Sequence, residues 1–169
     1  EKELVPLAEQ ANVDFVWVHG ASTVLESTLA YSLNSRGVPC LVVEMGVGMR
    51  ITRSIGDQMT EGIFNLMKTL GIWQGEVGEI RKPVVSADPE EVFFLNASRS
   101  GIFVQEARHN TYLKKGDSIG KVIDPLEGTV LEDVVSPEDG LLFTIREYPV
   151  VDEGSLMARI LRTKERQED

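Results

Sequence analysis

The fold of the first half of the chain is decided by the stretch Gly37–Gly48, GVPCLVVEMGVG. Apolar and β-branched residues fill positions 40–43, with Gly-Val-Pro before them and Gly-x-Gly after them. This pattern predicts a short strand buried on both faces. Glu44 closes the strand, and in open α/β sheets ligands and catalytic groups gather at the carboxyl ends of strands. Glu44 is therefore the first candidate catalytic residue, and the competing interpretation is structural, as a loop cap or an ion pair with Arg50 or Arg53.

The segments around this stretch predict a βαβ unit. Residues 13–19 form an apolar run that indicates a strand, and a helix capped by Ser22 or Thr23 leads from it to Gly37. A strand, a helix and a second strand at this spacing predict two parallel strands joined by a right-handed crossover. A second helix follows the glycine loop and ends at Gly71, with an apolar stripe at Ile55, Met59, Ile63 and Met67 and with Leu66 and Leu70 alongside.

The second half of the chain changes to short β-like runs separated by glycines and acidic turns. These runs lie at residues 84–85, 92–95, 101–104, 119–123, 128–131, 141–145 and 156–160. A faint internal repeat relates the region from Ser100 to Ile123 to the region from Asp139 to Ile160, which predicts two similar halves. The β-rich part resembles the biotinyl/lipoyl-type barrel-sandwich hybrid. No lysine occurs between Val122 and Thr163, so the turn that would carry a prosthetic group has no attachment residue.

These patterns predict an α/β fold class, with an α/β segment followed by a small all-β, barrel-sandwich-like domain. The loss of periodicity between Trp73 and Lys82 marks the domain boundary. We expect residues 1–80 to belong to the α/β part, residues 81–162 to the β domain and residues 163–169 to a charged tail.

The order of these motifs resembles the succinylglutamate desuccinylase/aspartoacylase family, which belongs to the zinc carboxypeptidase superfamily. The likeness is carried by Leu29–Tyr31, by Gly37–Pro39, by Val43–Gly46 and by the helix that ends in Leu70–Trp73. It implies a partial zinc-carboxypeptidase-like α/β segment, namely the C-terminal part of the catalytic domain, followed by the family's C-terminal β domain. It further implies hydrolysis of an amide or ester bond in an N-acylated amino acid or a similar small substrate.

The resemblance also implies roles for particular residues. Glu44 matches the carboxylate that acts as general base and then general acid. Family members hold a substrate carboxylate with arginine, and among Arg36, Arg50 and Arg53 our candidate is Arg50; surface pairing of Arg50 with a nearby acidic residue is the alternative.

The zinc that the family uses has no evident ligand set in this sequence. The family motif His-Gly-x-Glu is imitated by His19-Gly20-Ala21-Ser22, but Ser22 stands where the glutamate ligand is needed. The other histidine, His109, is expected in a loop of the β domain. We therefore expect the zinc ligands in an N-terminal half outside these residues and assign no metal ligand here. The start at Glu1 rather than at a methionine suggests a fragment, and without the ligand-bearing half we expect it to be inactive alone.

Composition excludes several classes of function. The sequence has 169 residues and a formal net charge of -10, which argues against binding nucleic acid or an anionic membrane. The single cysteine, Cys40, excludes an internal disulfide and fits the reducing cytoplasm. A non-catalytic binding or assembly module is the alternative function, in which the β domain forms oligomer contacts and Glu44 is structural. Exposed strand edges in a partial sheet also suggest a homo-oligomer.

Overall fold

The computed structural model describes residues 2–18, 26–86 and 88–163. It divides into two compact units, Glu1–Pro89 and Glu90–Asp169. Helices and antiparallel sheets are both present, as a mixed α and β fold requires. No helix in these ranges is long and apolar enough to cross a membrane.

Within its described residues, the first unit forms three α-helices and two short strands. A single helical turn at Lys2–Leu4 leads into the first helix. The elements are α1 Val5–Ala8, β1 Phe15–Trp17, α2 Leu29–Asn34, α3 Arg53–Thr69 and β2 Val84–Ser86. Strands β1 and β2 pair in parallel, with Phe15 opposite Val84. Residues 81–89, expected in the β domain, are thus grouped with the first unit by the β1–β2 ladder.

The helix boundaries follow from local capping. Thr28 precedes α2, and its side-chain oxygen accepts a hydrogen bond from the Tyr31 N–H at 3.3 Å. The expected cap at Ser22 or Thr23 lies outside the described residues. Gly37 and Gly71 follow α2 and α3 with φ angles of 76° and 73°. In both cases the next residue donates to the carbonyl five positions earlier, at 3.0 and 2.8 Å, so both predicted glycine stops are confirmed.

The predicted strand at residues 40–45 is not formed. These residues have no regular secondary structure, and β1 takes β2 as its parallel partner instead. The side chains of Val42 and Val43 are 69% and 41% exposed, so the expected burial on both faces was also wrong. The physical reason is that a strand exists only where a neighbour satisfies its backbone, and no described segment lies alongside to do so.

Asn12 connects the separate segments of the first unit. It is 2% exposed and adopts a left-handed φ of 55°, which asparagine tolerates. Its amide nitrogen donates to the Gln58 carbonyl at 3.0 Å and to a Glu61 carboxylate oxygen at 3.3 Å. Its amide oxygen accepts from the Arg81 N–H at 2.9 Å, and its backbone carbonyl accepts from the Gln58 side chain at 2.7 Å. One buried amide thus ties the end of α1 to α3 and to the segment before β2.

Helix α3 packs most closely at Gly62, beside the predicted apolar stripe, of which Ile55, Met59, Leu66 and Met67 are half-buried. Its one buried residue is Gly62, where an added Cβ would lie 2.1 Å from the Ala11 carbonyl oxygen. The predicted apolar stripe lies beside this contact and is incompletely covered, since Ile63 and Leu70 are 53% and 59% exposed. Close backbone approach and polar contacts therefore decide how α3 packs, because residues 10–12 offer no large apolar surface.

From residue 90 to residue 163, the second unit forms eight strands in two antiparallel sheets. The strands are β3 Val92–Asn96, β4 Gly101–Gln105, β5 Thr111–Leu113, β6 Ser118–Ile123, β7 Val130–Val135, β8 Gly140–Ile145, β9 Val150–Val151 and β10 Leu156–Arg162. One sheet has the order β3-β10-β8-β5 and the other has the order β7-β6-β4-β9. The predicted β-runs of this unit are strands, whereas β5 and β9 were not predicted. No closed barrel is found in this part of the chain.

The strand order shows the predicted internal repeat. Each strand of the first half has a counterpart in the second half: β3 corresponds to β7, β4 to β8, β5 to β9 and β6 to β10. When every strand is exchanged for its counterpart, the order of one sheet becomes the order of the other. Hydrogen bonds repeat in the same way: Gly116 N–H donates to the Ser136 carbonyl at 2.7 Å, and Gly154 N–H donates to the Ala97 carbonyl at 2.8 Å. Each of these glycines has a left-handed φ, at 92° and 83°.

Both sheets of the second unit share one apolar core. It draws on all the strands except β3, whose Phe93 and Leu95 pack against it; its buried residues are Ala97, Phe103, Leu113, Ile119, Val122, Val134, Leu142, Val151, Met157, Ala158 and Ile160. The buried apolar side chains described in the first unit are the small ones of Ala8, Ala11 and Pro83. Apolar burial therefore stabilises the second unit far more than the first.

We expect Asn12→Asp to destabilise the first unit by about 1–3 kcal/mol, since it removes the amide donors that face a carbonyl and a carboxylate. Both tryptophans, Trp17 and Trp73, lie in this unit, so urea unfolding followed by tryptophan fluorescence reports on it. Asn110→Asp is the matched control, because Asn110 also has a left-handed φ, of 59°, but is exposed. Equal effects of the two substitutions would contradict the role of Asn12.

The second unit has equivalent tight contacts at Gly101 and Gly140. An added Cβ would lie 2.6 Å from the Ile123 carbonyl oxygen at the first position and 2.3 Å from the Leu161 carbonyl oxygen at the second. We expect Gly101→Ala and Gly140→Ala each to lower the free energy of unfolding by about 1–3 kcal/mol, measured by circular dichroism in urea. Gly78→Ala is the control, because nothing lies within 4 Å of its Cβ position.

Candidate functional site

Glu44 lies on an exposed segment of the first unit. Within the described ranges it takes part in no hydrogen bond or ion pair. The chain turns directly after it, with a φ of 65° at Gly46 and 64° at Met49. Met49 is unusual as a non-glycine residue in this region, which marks a loop of defined shape.

The start of this segment is fixed by Asn34, a residue that the sequence patterns did not single out. Its amide nitrogen donates to the Cys40 carbonyl at 3.0 Å, and its amide oxygen accepts from the Cys40 N–H at 2.9 Å. A side-chain amide thus pairs with a backbone peptide in the way that a neighbouring strand would. The sequence offered one signal for this contact, an asparagine three residues before Gly37. Asparagine favours hydrogen bonds between its side chain and the nearby backbone.

The candidate arginines have different surroundings. The Arg36 guanidinium donates to the Ser32 carbonyl at 2.7 Å, so it is engaged by its own helix. Arg50 is exposed, and its N–H donates to the Val47 carbonyl at 3.3 Å, within the same loop that follows Glu44. Arg53 is the first residue of α3 and is exposed. Arg50 is thus the arginine on the loop itself.

The described residues do not fit a zinc ion. Nowhere in the described ranges do three histidine, cysteine, aspartate or glutamate side chains come together as a ligand set. His19, the weak ligand candidate, lies outside the described residues together with Ser22. His109 is exposed in the loop between β4 and β5 of the second unit.

One described carboxyl group has a shifted pKa. Ser118 Oγ donates to Glu106 at 2.6 Å and Lys121 Nζ lies 3.3 Å away. The hydrogen bond from Ser118, followed by the interaction with Lys121, lowers the pKa of Glu106. Glu106 is thus an exposed carboxylate held by Ser118 and Lys121 on the second unit.

Several solved structures share this fold. No protein-family model and no curated protein matches the sequence. Among solved structures, the ectoine utilization protein EutE (DoeB) from Ruegeria pomeroyi is 16% identical, with a TM-score of 0.77 over 94% of this chain and 48% of its own. A succinylglutamate desuccinylase from a Silicibacter species is 17% identical, with a TM-score of 0.79 over 96% of this chain and 49% of its own.

A third structure, a succinylglutamate desuccinylase/aspartoacylase from Rhodobacter sphaeroides, is 16% identical, with a TM-score of 0.75 over 98% of this chain and 50% of its own. The fold is that of succinylglutamate desuccinylase/aspartoacylase proteins. The resemblance predicted from the sequence is confirmed at this level. The chain spans about half the length of these three structures, which is consistent with a C-terminal portion of the fold.

The Asn34 contact can be tested with two substitutions. Asn34→Ala removes both hydrogen bonds to Cys40, whereas Asn34→Asp keeps the acceptor for the Cys40 N–H. We expect the Cys40 amide to exchange with solvent roughly fivefold faster in the alanine variant, since one exposed hydrogen bond contributes about 1 kcal/mol, and to change little in the aspartate variant. Equal exchange rates in both variants, measured by NMR, would show that Asn34 does not hold the segment.

Proposed function

We propose that this chain is the C-terminal portion of a zinc-dependent deacylase-like hydrolase that cleaves an amide or ester bond in an N-acylated amino acid. The observation that carries the proposal is the shared fold with proteins described as desuccinylases and aspartoacylases. In this proposal the first unit is a partial zinc-carboxypeptidase-like α/β segment, and the second unit is a barrel-sandwich-like domain without a prosthetic group. The turn Asp124–Gly128 has Leu126 at its exposed tip in place of a lysine.

Glu44 is the proposed general base and general acid. Its carboxylate accepts a proton from the attacking water and passes it to the leaving nitrogen or oxygen, which is the ordinary work of a positioned carboxylate. The exposed position of Glu44 at the start of a shaped loop supports this role, because no described side chain blocks it. Arg50 is the proposed partner for a carboxylate of the substrate, since it lies on the same loop and can form two parallel hydrogen bonds.

The proposed hydrolase uses a zinc ion that is held by residues outside this sequence. When bound, zinc lowers the pKa of a water molecule and polarises the scissile carbonyl. Because the described residues offer no ligand set, we infer that the ligands lie in polypeptide outside this sequence. The chain of 169 residues is then inactive alone.

The decisive test is Glu44→Gln in the longer polypeptide that the parent gene encodes. We expect kcat for hydrolysis of N-succinyl- and N-acetyl-amino acids to fall by about 10²–10⁴-fold, the usual contribution of general acid–base catalysis. Zinc content, measured by mass spectrometry, should stay unchanged, because Glu44 is not a ligand. Glu79→Gln is the control, since Glu79 is an exposed glutamate of the same unit.

Two outcomes would contradict the assignment. Full activity of Glu44→Gln would remove Glu44 from the chemistry. A parent gene that encodes no His-Gly-x-Glu motif before these residues, together with a parent protein that binds no zinc, would end the hydrolase proposal. The alternative, an assembly module with oligomer contacts through the β domain, would then be favoured; sedimentation of the 169-residue chain tests it.

A further inference from the structure

Strand β7 is a long, open edge of the second unit. The two sheets of this unit end in β3, β5, β7 and β9, and none of these four strands pairs with a second strand among the described residues. With six residues β7 is the longest of them, since β3, β5 and β9 have five, three and two. It contains no lysine or proline, which commonly block edge pairing, and it exposes Val130, Leu131 and Val135. Such an edge is suited to accepting a further strand.

The charge on the β7 edge is negative. Asp133 is exposed, and its carboxylate takes part in no hydrogen bond or ion pair in the part of the chain that the structure describes. Lys121 lies opposite Asp133 in β6, but its ammonium group is paired with Glu106 at 3.3 Å. The Glu132 carboxylate accepts from the Ser98 N–H at 2.9 Å. Asp133 is therefore the carboxylate of β7 that is free to meet a cation on a partner strand.

The edge at β5 carries the opposite charge. Arg108 precedes this strand, and Lys114 and Lys115 follow it. All three side chains are exposed and make no described hydrogen bond or ion pair, and Tyr112 between them is 66% exposed. Apart from Arg99, the other cationic side chains described in this unit contact an acidic, carbonyl or aromatic group; they are Lys121, Arg146, Arg159 and Arg162.

The carboxylates nearest to these lysines are already hydrogen-bonded. The Lys114 N–H donates to Asp117 at 2.8 Å, and the Lys115 N–H donates to Asp139 at 2.7 Å. Both bonds come from the backbone, so they hold the two carboxylates without occupying the ammonium groups. The β5 edge thus offers unpaired cations on a chain whose formal net charge is -10.

We propose that β7 of one copy of this chain adds to β5 of a second copy as an antiparallel strand. The occupant of each edge is then the other edge, because one carries a free carboxylate and the other carries free ammonium groups. This inference goes beyond the proposed hydrolase and does not depend on it, since no residue of the first unit takes part.

The alternation of side chains selects the register. Leu113 of β5 and Val134 of β7 are both buried in the core of their own unit, at 8% and 2% exposure. Placing them opposite each other keeps both on the core side of the extended sheet, whereas a shift by one residue would turn one of them outward. The same register puts Tyr112 opposite Val135 and Lys114 opposite Asp133. An aromatic residue beside a β-branched one and two opposite charges are both stabilising cross-strand pairs.

Other arrangements fit the charges less well. Antiparallel pairing of two β7 strands about a two-fold axis brings Glu132 and Asp133 of both copies together, and like charges oppose such pairing. The net charge of -10 on each copy also opposes association, but at physiological ionic strength charges more than about 8 Å apart are largely screened. The directly opposed Lys114 and Asp133 then contribute most. Each copy keeps one free β5 and one free β7, so the assembly grows beyond a dimer unless it closes into a ring.

Sedimentation equilibrium of the 169-residue chain tests the proposal. We expect the average mass to rise reversibly between roughly 10 μM and 1 mM, the range of small interfaces. Asp133→Lys and Lys114→Asp should each weaken association by about tenfold, because attraction across the strands becomes repulsion. An equimolar mixture of the two variants should associate as the unchanged chain does, since the new lysine then faces the new aspartate. Asp152→Lys is the matched control, because Asp152 is exposed and follows β9 at the other edge of the same sheet.

Hydrogen exchange locates the contact. We expect amides of β5 and β7 to gain protection as the protein concentration rises, and those of β9 to remain unchanged. A chain that stays monomeric throughout this range would overturn the inference. So would equal effects of Asp133→Lys and Asp152→Lys, or a mixture of the two charge-reversed variants that fails to associate. Protection gained only in the first unit would place the contact on its exposed apolar residues instead. None of these results depends on Glu44→Gln, so the two proposals fail separately.

Discussion

A parallel strand is stable only when hydrogen-bonding neighbours line its edges and apolar groups cover its faces. In the first unit, two strands of three residues each have one such neighbour, and residues 40–45 have none among the described residues. Its internal order depends on hydrogen bonds around the buried Asn12 side chain. Each such bond contributes about 0.5–1.5 kcal/mol net, whereas burying a valine or methionine side chain contributes about 1.5–3 kcal/mol. Covering Val42, Val43, Met45 and Ile51 would thus add roughly 6 kcal/mol, comparable to the whole stability of a small domain.

The second unit satisfies the same requirements internally. Its two related halves exchange strands, so each sheet contains strands from both and one core is shared. Ala97 and Ser136 are buried and occupy equivalent positions in the two halves. Both form the same pair of backbone hydrogen bonds, and the Ser136 hydroxyl in addition donates to the Glu138 carbonyl at 2.7 Å. Because neither half can close without the other, this unit is expected to fold cooperatively.

The sequence predicted those features that depend on local patterns. Helix α3 and its stop at Gly71, the repeat in the second half and most of its strands followed from periodicity and glycine placement. Strands β5 and β9 were missed because three and two residues are too few to show alternation. The role of Asn12 was not predictable, since its partners lie 46 to 69 residues away in sequence. The pattern at residues 40–45 is typical of a strand that has hydrogen-bonding neighbours and apolar cover on both faces. It does not indicate which residues supply those neighbours and that cover.

The position of Glu44 connects this incomplete strand with chemistry. A carboxylate surrounded by bulk water is an ordinary base, and it becomes a directed catalyst when a dry pocket holds it beside a substrate. The turn that follows Glu44 is already shaped, with left-handed residues at Gly46 and Met49, and Asn34 already holds the other end of the segment. In the proposed hydrolase, cover over this segment would therefore remove Glu44 from bulk water without rebuilding the flanking loops, and the pocket so formed would fix the direction of its side chain.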